Sequence, residues 1–275
     1  VVASRKIKRL NAINHRFSKI SVGATQNIIM AATLANGISI LKNCAIEPEV
    51  MDLISFLMKC GSKITVNQRT IKIIGSENLN LSNHEIIPDR IEAGSYILAA
   101  MATKGKITIK NFLIEHLEEP IKIFKKMGLK IKKIDTNEYL FSCNAIKPIN
   151  LIQTKEYPGF PTDLQAQLIT IFLKNGNKSK IKENIFENRF IHVPELKRFG
   201  ADITLNSNTV IVNKVNELNG AEVMATDLRG SFSLIIAALL SKGETTISRI
   251  YHLDRGYEDF DLKLKQCGVN IKRKK

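Results

Sequence analysis

Four short segments of this 275-residue chain place an acid or hydroxyl where an extended stretch gives way to an apolar, helix-like run. They are SVGATQN (21–27), PDRIEAGS (88–95), FPTDLQAQ (160–167) and ATDLRGS (225–231). A Ser, Thr or Asp at such a point most simply caps the helix by accepting from its first free N–H groups. Together the four permit more. Helix N-termini gathered at one cleft turn N–H groups and positive dipole ends toward a phosphate or carboxylate. Two arginine-bearing loops, FENRFIHVPEL (186–196) and YHLDRGYED (251–259), each precede a second, more amphipathic run. Arg189 and Arg255 could therefore pair bidentately with an anion. A surface salt bridge explains either arginine alone; with Arg229 of TDLRG the three become candidates for one anion site.

Residues recurring at equivalent points require a recurring scaffold. An apolar run ends in Gly four times: IIMAATLANG (28–37), ILAAMATKG (97–105), LITIFLKNG (168–176) and LIIAALLSKG (234–243). An amphipathic run also ends in Gly four times: LISFLMKCG (53–61), IKIFKKMG (121–128), PELKRFG (194–200) and LKLKQCG (262–268). The two glycines of each pair stand 24, 23, 24 and 25 positions apart, so the chain is a fourfold repeat. Each Gly suits the left-handed residue that ends a helix. A β-like stretch follows the first Gly of each pair: ISILKN, KITIKN, KSKIKEN and TTISRI. Hairpin patterns follow the second in KITVNQRTIKII (63–74) and ADITLNSNTVIV (201–212), with Asn-Gln and Asn-Ser-Asn as turn residues. The unit reads β-α-β-α-β-β, an α/β (α+β) fold. First helices, apolar nearly all round, are expected inside; second helices, with one polar face, outside.

Composition excludes several classes. The net charge of +15 comes mostly from lysines in 121–134, 174–182 and the tail IKRKK. These runs carry neither the interleaved aromatics nor the Arg-Gly pattern of a nucleic-acid surface, and solvated helix faces explain them. The longest apolar run, Leu234 to Leu240, is far too short to span a bilayer, and nothing N-terminal resembles a signal peptide. Cys44, Cys60, Cys143 and Cys267 form no CxxC pair and have no His at ligand spacing, so neither a metal site nor a disulfide framework is expected. A reducing, cytoplasmic setting follows. The chain begins Val-Val, its first 19 residues (with Arg5, Lys6, Lys8, Arg9, Arg16 and Lys19) read as the tail of a preceding hairpin, and VNIKRKK supplies one last unpartnered strand. Both ends read as cut.

Seven segments carry a resemblance: SVGAT (21–25), AIEPEVMDL (45–53), IPDRIEAGS (87–95), YPGFPTDLQAQ (157–167), IFENRFIHVPEL (185–196), GAEVMATDLR (220–229) and RIYHLDRGYE (249–258). In order, from about Phe17 to the end, they resemble the family of UDP-N-acetylglucosamine 1-carboxyvinyltransferases, the enolpyruvyl transferases of peptidoglycan precursor synthesis. The resemblance implies an inverse α/β barrel of two domains with three repeats each, joined by a hinge near Pro88. Residues 1–87 would be one full repeat of the first domain plus the tail of another. Residues 88–275 would be the second domain, its last repeat lacking a final strand.

The resemblance also implies the chemistry. The enolpyruvyl group of phosphoenolpyruvate passes to the 3-hydroxyl of UDP-N-acetylglucosamine by addition, then elimination of phosphate, with no cofactor. Asp163 would be the base at the sugar hydroxyl, and Arg189 and Arg255 would hold the phosphoenolpyruvate-derived group. Asp227 and Arg229 would line the same cleft. Lys19, Ile20, Ser21, Val22 and Gly23 would meet the nucleotide, Gly23 by allowing close approach, and Ile185 would pack near the nucleotide sugar. Glu47 and Glu49 are equally well explained as caps of an outer helix. The family's Lys-Asn pair and cysteine-bearing loop lie upstream of the matched region, and none of the four cysteines stands in for that one. The chain alone is expected not to turn over unless the N-terminal segment is supplied in trans. Two other readings stay open: a non-catalytic remnant of the same fold that binds a ligand or partner, and a transferase acting on shikimate 3-phosphate.

Overall fold

The computed structural model describes residues 9–175 and 178–274. Arg5, Lys6, Lys8 and Gly176 lie outside them. The chain divides into two compact units, Val1–Ile87 and Pro88–Lys275.

In the first unit β1 (Asn14–Arg16), α1 (Val22–Thr33), β2 (Ile38–Lys42), α2 (Pro48–Lys59), β3 (Lys63–Asn67) and β4 (Thr70–Ile74) form one βαβαββ repeat. Its sheet runs β1-β2-β4-β3, with β1 and β2 parallel and the other pairs antiparallel. Alternation along β4 buries Ile71 and Ile73 and leaves Lys72 exposed, which fixes the register against the core of Ile29, Leu41, Val50 and Ile54. Helix α2 buries Val50, Ile54 and Leu57, the i, i+4, i+7 stripe of an outer helix. Helix α1 departs from expectation. It buries only Thr25, Ile29, Ala32 and Thr33, and Met30 is 45% exposed, because within its unit it packs against α2 and β4 and has no second apolar helix beside it.

The second unit opens on α3 (Arg90–Ala102), followed by β5 (Lys106–Ile109), α4 (Glu118–Lys126), β6 (Lys130–Asp135) and β7 (Glu138–Ser142). A complete repeat follows: β8 (Leu151–Gln153), α5 (Gln165–Asn175), β9 (Lys178–Lys182), α6 (Val193–Arg198), β10 (Asp202–Asn206) and β11 (Thr209–Asn213). It ends with β12 (Glu222–Met224), α7 (Leu228–Leu240), β13 (Thr246–Ser248), α8 (Tyr251–Asp254) and α9 (Phe260–Gln266). The sheets run β5-β7-β6, β8-β9-β11-β10 and β12-β13. The apolar helices α3, α5 and α7 pack on one another, and 11 of the 13 residues of α3 are buried. That packing is close at Gly94, where a Cβ would stand 2.8 Å from Leu164 Cδ1.

Some local expectations change. Residues 76–89 before α3 form no strand, so that repeat lacks its first β element. Residues 269–274 form none either: a strand needs a partner, and the described chain offers none there. The loop at 251–259 begins with the helical turn α8. Gly37, Gly61, Gly128, Gly200, Gly243 and Gly268 take positive φ as the repeat demands, but at the second repeat Lys104 (φ 53°), not Gly105, is the left-handed residue. The hairpin turns pass through Gln68 (φ 50°) and Ser207 (φ 53°), while Asn67 and Asn206 end their strands. Cys267, at the C-terminal end of α9, is exposed.

Candidate active site

Three of the four helix-start residues are plain caps. Ser21 Oγ accepts from Ala24 N at 3.3 Å to open α1. Asp89 Oδ1 accepts from Ile91 N and Glu92 N at 2.7 and 3.0 Å to open α3. Asp227 Oδ1 accepts from Arg229 N and Gly230 N, both at 2.9 Å, to open α7. Asp163 differs. It sits inside the 3-10 turn Thr162–Leu164 that leads into α5, and its carboxylate caps no N–H among the described residues.

The Asp163 carboxylate is turned to two cations. Oδ1 accepts from Arg189 Nη2 at 2.5 Å, and Oδ2 lies 3.8 Å from Arg229 Nε. All three side chains are partly covered, at 34%, 28% and 15% exposure for Asp163, Arg189 and Arg229. Partial cover weakens solvent screening, so both attractions exceed those of a surface pair. Arg189 also lies over the Phe186 ring at 5.2 Å, and its carbonyl accepts from Gln165 Nε2 at 3.2 Å, which ties its loop to the start of α5.

Arg229, the second residue of α7, lies over the Tyr257 ring at 5.5 Å. Burial works against its charge, but Tyr257, Asp163 and Asp89 outweigh burial and hold it above the ordinary arginine range. Its Nη1 is buried with no hydrogen-bond partner among the described residues. A buried guanidinium N–H without an acceptor is costly, and an anion entering here would supply one. Tyr257 is fully buried and its phenol is raised by burial; its hydroxyl meets Ser95 Oγ at 2.9 Å, and Gln167 Nε2 donates to it at 3.3 Å. Gln167 Nε2 also donates to Ser95 Oγ at 2.9 Å, so α3, α5 and the chain after α8 share one polar knot beneath Arg229.

Arg255 stands apart from this cluster. It is exposed, makes no ion pair among the described residues, and lines a concavity of about 700 Å³ with Glu92, Asp254, Tyr257, Glu258 and Asp261. None of Asp163, Arg189 and Arg229 lines that concavity. Ile185 is half-buried and its N–H donates to Glu183 Oε1 at 2.8 Å. Lys19, Ile20, Ser21, Val22 and Gly23 belong to the first unit and span the approach to α1 and its first two residues, where Asn43 Nδ2 fixes the preceding turn by donating to Phe17 O at 2.9 Å. Lys19, Ser21 and Gly23 are exposed, and a Cβ on Gly23 would meet open space, so no neighbouring protein atom demands glycine there. Glu47 begins α2, but through its carbonyl, which accepts from Val50 N and Met51 N; its side chain does not cap.

Two residues escaped the sequence reading. His192 is buried, with neither ring nitrogen hydrogen-bonded and its Cβ 2.9 Å from where a Cβ on Gly230 would stand. Burial, against the pull of Asp227, pushes its pKa down to about 4, so it is a neutral packing group under the first turn of α7. Glu183, 2% exposed, is the other. A lone His before an outer helix and a Glu among lysines carry no pattern that marks them. Cys44 and Cys143 are poor nucleophiles: burial raises the Cys44 thiol to about 11 and also raises Cys143. Among the described residues no cluster of His, Cys, Asp and Glu could hold a metal, and no helix is long and apolar enough to cross a membrane.

Comparison with known proteins agrees with this architecture. Residues 1–264 match the family model described as EPSP synthase (3-phosphoshikimate 1-carboxyvinyltransferase). The chain is 50% identical over 268 residues to the UDP-N-acetylglucosamine 1-carboxyvinyltransferase of Pelagibacter ubique (strain HTCC1062), covering 97% of this chain and 64% of that protein. It is 46% identical over 266 residues to the enzyme of the same name from Psychrobacter sp. (strain PRwf-1), covering 96% and 61%. The chain thus spans less than two thirds of the length of these relatives. Among solved structures, the enolpyruvyl transferase NikO from Streptomyces tendae is similar at a TM-score of 0.86 and 23% identity, covering 96% of this chain and 66% of that one. An EPSP synthase from Acinetobacter baumannii follows at 0.74 and 17%, covering 97% and 64%. With its repeats, its buried helix trio and a match over residues 1–264, the chain belongs to the EPSP synthase family of enolpyruvyl transferases.

Proposed function

We propose that this chain carries the sugar-hydroxyl base and part of the anion-holding site of a UDP-N-acetylglucosamine enolpyruvyl transferase. The observation that carries the reading is Asp163, which does not cap its helix as Asp89 and Asp227 cap theirs and instead faces Arg189 and Arg229. In the reaction, Asp163 takes the proton of the 3-hydroxyl as that oxygen attacks C2 of phosphoenolpyruvate and C3 gains a proton. The resulting ketal then loses the C3 proton and expels phosphate. A carboxylate in reach of the hydroxyl and cations around the donor's carboxylate and phosphate groups are what this sequence of steps requires. Arg189 and Arg229 serve as those cations, and Arg255 is a third at the neighbouring concavity. Asp227 acts through its cap, which fixes the first turn of α7 and hence the root of Arg229. Lys19 to Gly23 and Ile185 contact the nucleotide sugar.

The nucleotide-sugar acceptor is supported over shikimate 3-phosphate by the 46–50% identity to enzymes named for it. We assign residues 88–275 to a second domain of three repeats and residues 1–87 to part of a first, with an N-terminal segment as the partner that brings the proton donor. The pathway is peptidoglycan precursor synthesis in the cytoplasm. A direct test is amide hydrogen exchange of the chain with saturating UDP-N-acetylglucosamine. Segments 160–167 and 251–258 should exchange more slowly; binding detected by calorimetry without protection at 160–167 would refute the placement.

A further inference from the structure

Glu183 follows β9, and its carboxylate accepts four hydrogen bonds in the interior. Oε1 accepts from Thr154 Oγ1 at 2.8 Å, Ile185 N at 2.8 Å and Phe186 N at 3.2 Å. Oε2 accepts from Thr162 Oγ1 at 2.8 Å. The residue's backbone is pinned as well: its N–H donates to Asn208 O at 2.8 Å, and Asn208 Nδ2 donates to its carbonyl at 2.9 Å. Thr154 closes the arrangement, its Oγ1 accepting from Asn184 N at 2.8 Å.

The two oxygens divide their work. Oε2 holds Thr162, the residue before Asp163. Oε1 holds the two N–H groups that open the loop carrying Arg189. One buried carboxylate therefore sets the separation of the two segments whose side chains form the 2.5 Å pair. A buried carboxylate is tolerated when both oxygens are hydrogen-bonded, and four donors serve them, three at Oε1 and one at Oε2. Glutamine keeps one acceptor oxygen for the Ile185–Phe186 side and would offer Thr162 Oγ1 an amide N–H₂, reversing that bond and removing the charge, while an apolar residue would strand two hydroxyls and two amides.

We propose that Glu183 is a positioning residue that fixes Asp163 against Arg189, acting through Thr162 on one side and Ile185 and Phe186 on the other. The assignment rests on the enolpyruvyl-transfer reading for its catalytic consequence but not for its structural one, and the two are tested separately. Thr162→Val removes the Oε2 bond at almost constant volume, and Glu183→Gln removes the charge; should Glu183→Gln fail to fold, Thr162→Val carries the test.

In the unliganded chain, hydrogen exchange should accelerate at least about tenfold within 162–164 and 185–189 in Thr162→Val, while the helices α3 and α7 keep their rates, and Thr162→Ser should restore both segments. In the chain supplied with the N-terminal segment, Thr162→Val should lower kcat for phosphate release about tenfold or more. KM for UDP-N-acetylglucosamine should change less than about threefold, and Thr162→Ser should recover kcat. Unchanged exchange in both segments, or acceleration spread equally over the whole unit, would overturn the proposal. So would a kcat indifferent to Thr162→Val. An unmutated protein without phosphate release would count against the enzymatic reading alone, and the exchange result would still decide the role of Glu183.

Discussion

Asp163→Ala should abolish enolpyruvyl transfer while leaving UDP-N-acetylglucosamine affinity within a few-fold of the unmutated protein. A positioned base contributes on the order of 10²–10⁴ in rate, so kcat should fall by at least that range. The nucleotide sugar has many other contacts, which is why affinity is expected to survive. Alanine also leaves Arg189 and Arg229 facing each other without the anion between them, at 28% and 15% exposure. Asp163→Asn separates the two effects, since it keeps the volume and one acceptor oxygen but cannot take a proton. Both variants should be inactive and both lose the charge between the arginines, and the alanine should lose more stability because it also removes the acceptor oxygen. Phosphate release measures the first quantity and calorimetric titration the second. An asparagine variant with near-normal kcat would remove Asp163 from the chemistry.

The second large effect is on folding. Tyr257→Ala should destabilise the second unit by about 3–5 kcal/mol, the range for truncating a buried aromatic. Its ring stacks on Phe232 at 4.5 Å between centroids and supports the Arg229 guanidinium, and its hydroxyl bonds Ser95 and Gln167. Truncation opens a cavity where α3, α5 and α7 meet, removes one member of the Ser95–Gln167 knot and unseats a cation of the site. Tyr257→Phe removes only the hydroxyl and should cost about 1 kcal/mol. Urea denaturation monitored over the second unit gives both numbers. On the usual scaling for a domain of this size, the alanine variant should also melt on the order of 10 °C lower. Equal, small losses for both variants would show that the ring does not hold the helices together.

Much of the scaffold was legible because it repeats. A glycine ending a helix suits positive φ, and six of the seven described positions take it. What the repeat cannot convey is which copies meet. Helix α1 reads as apolar as α3, yet burial depends on neighbours, and α1 has no second apolar helix beside it within its unit. Helix-start acids look alike in sequence, and only geometry separates Asp163, held off its helix by a 3-10 turn, from Asp89 and Asp227, which cap theirs. Arg189 and Arg255 occupy equivalent repeat positions, but only Arg189 pairs with Asp163; the other faces a separate concavity. Glu183 was invisible because its partners, Thr154, Thr162, Ile185 and Phe186, are scattered and individually unremarkable.

The claim that unites these features is that the Asp163 cluster serves transfer from phosphoenolpyruvate to a nucleotide sugar. The measurement closest to it is phosphate release from phosphoenolpyruvate by the chain combined with the N-terminal segment proposed above, both pieces folded, with UDP-N-acetylglucosamine or shikimate 3-phosphate as acceptor. Release should depend on UDP-N-acetylglucosamine, be absent with shikimate 3-phosphate and disappear in Asp163→Asn. Release with shikimate 3-phosphate at a comparable rate, or none with either acceptor, would overturn this role for the Asp163 cluster.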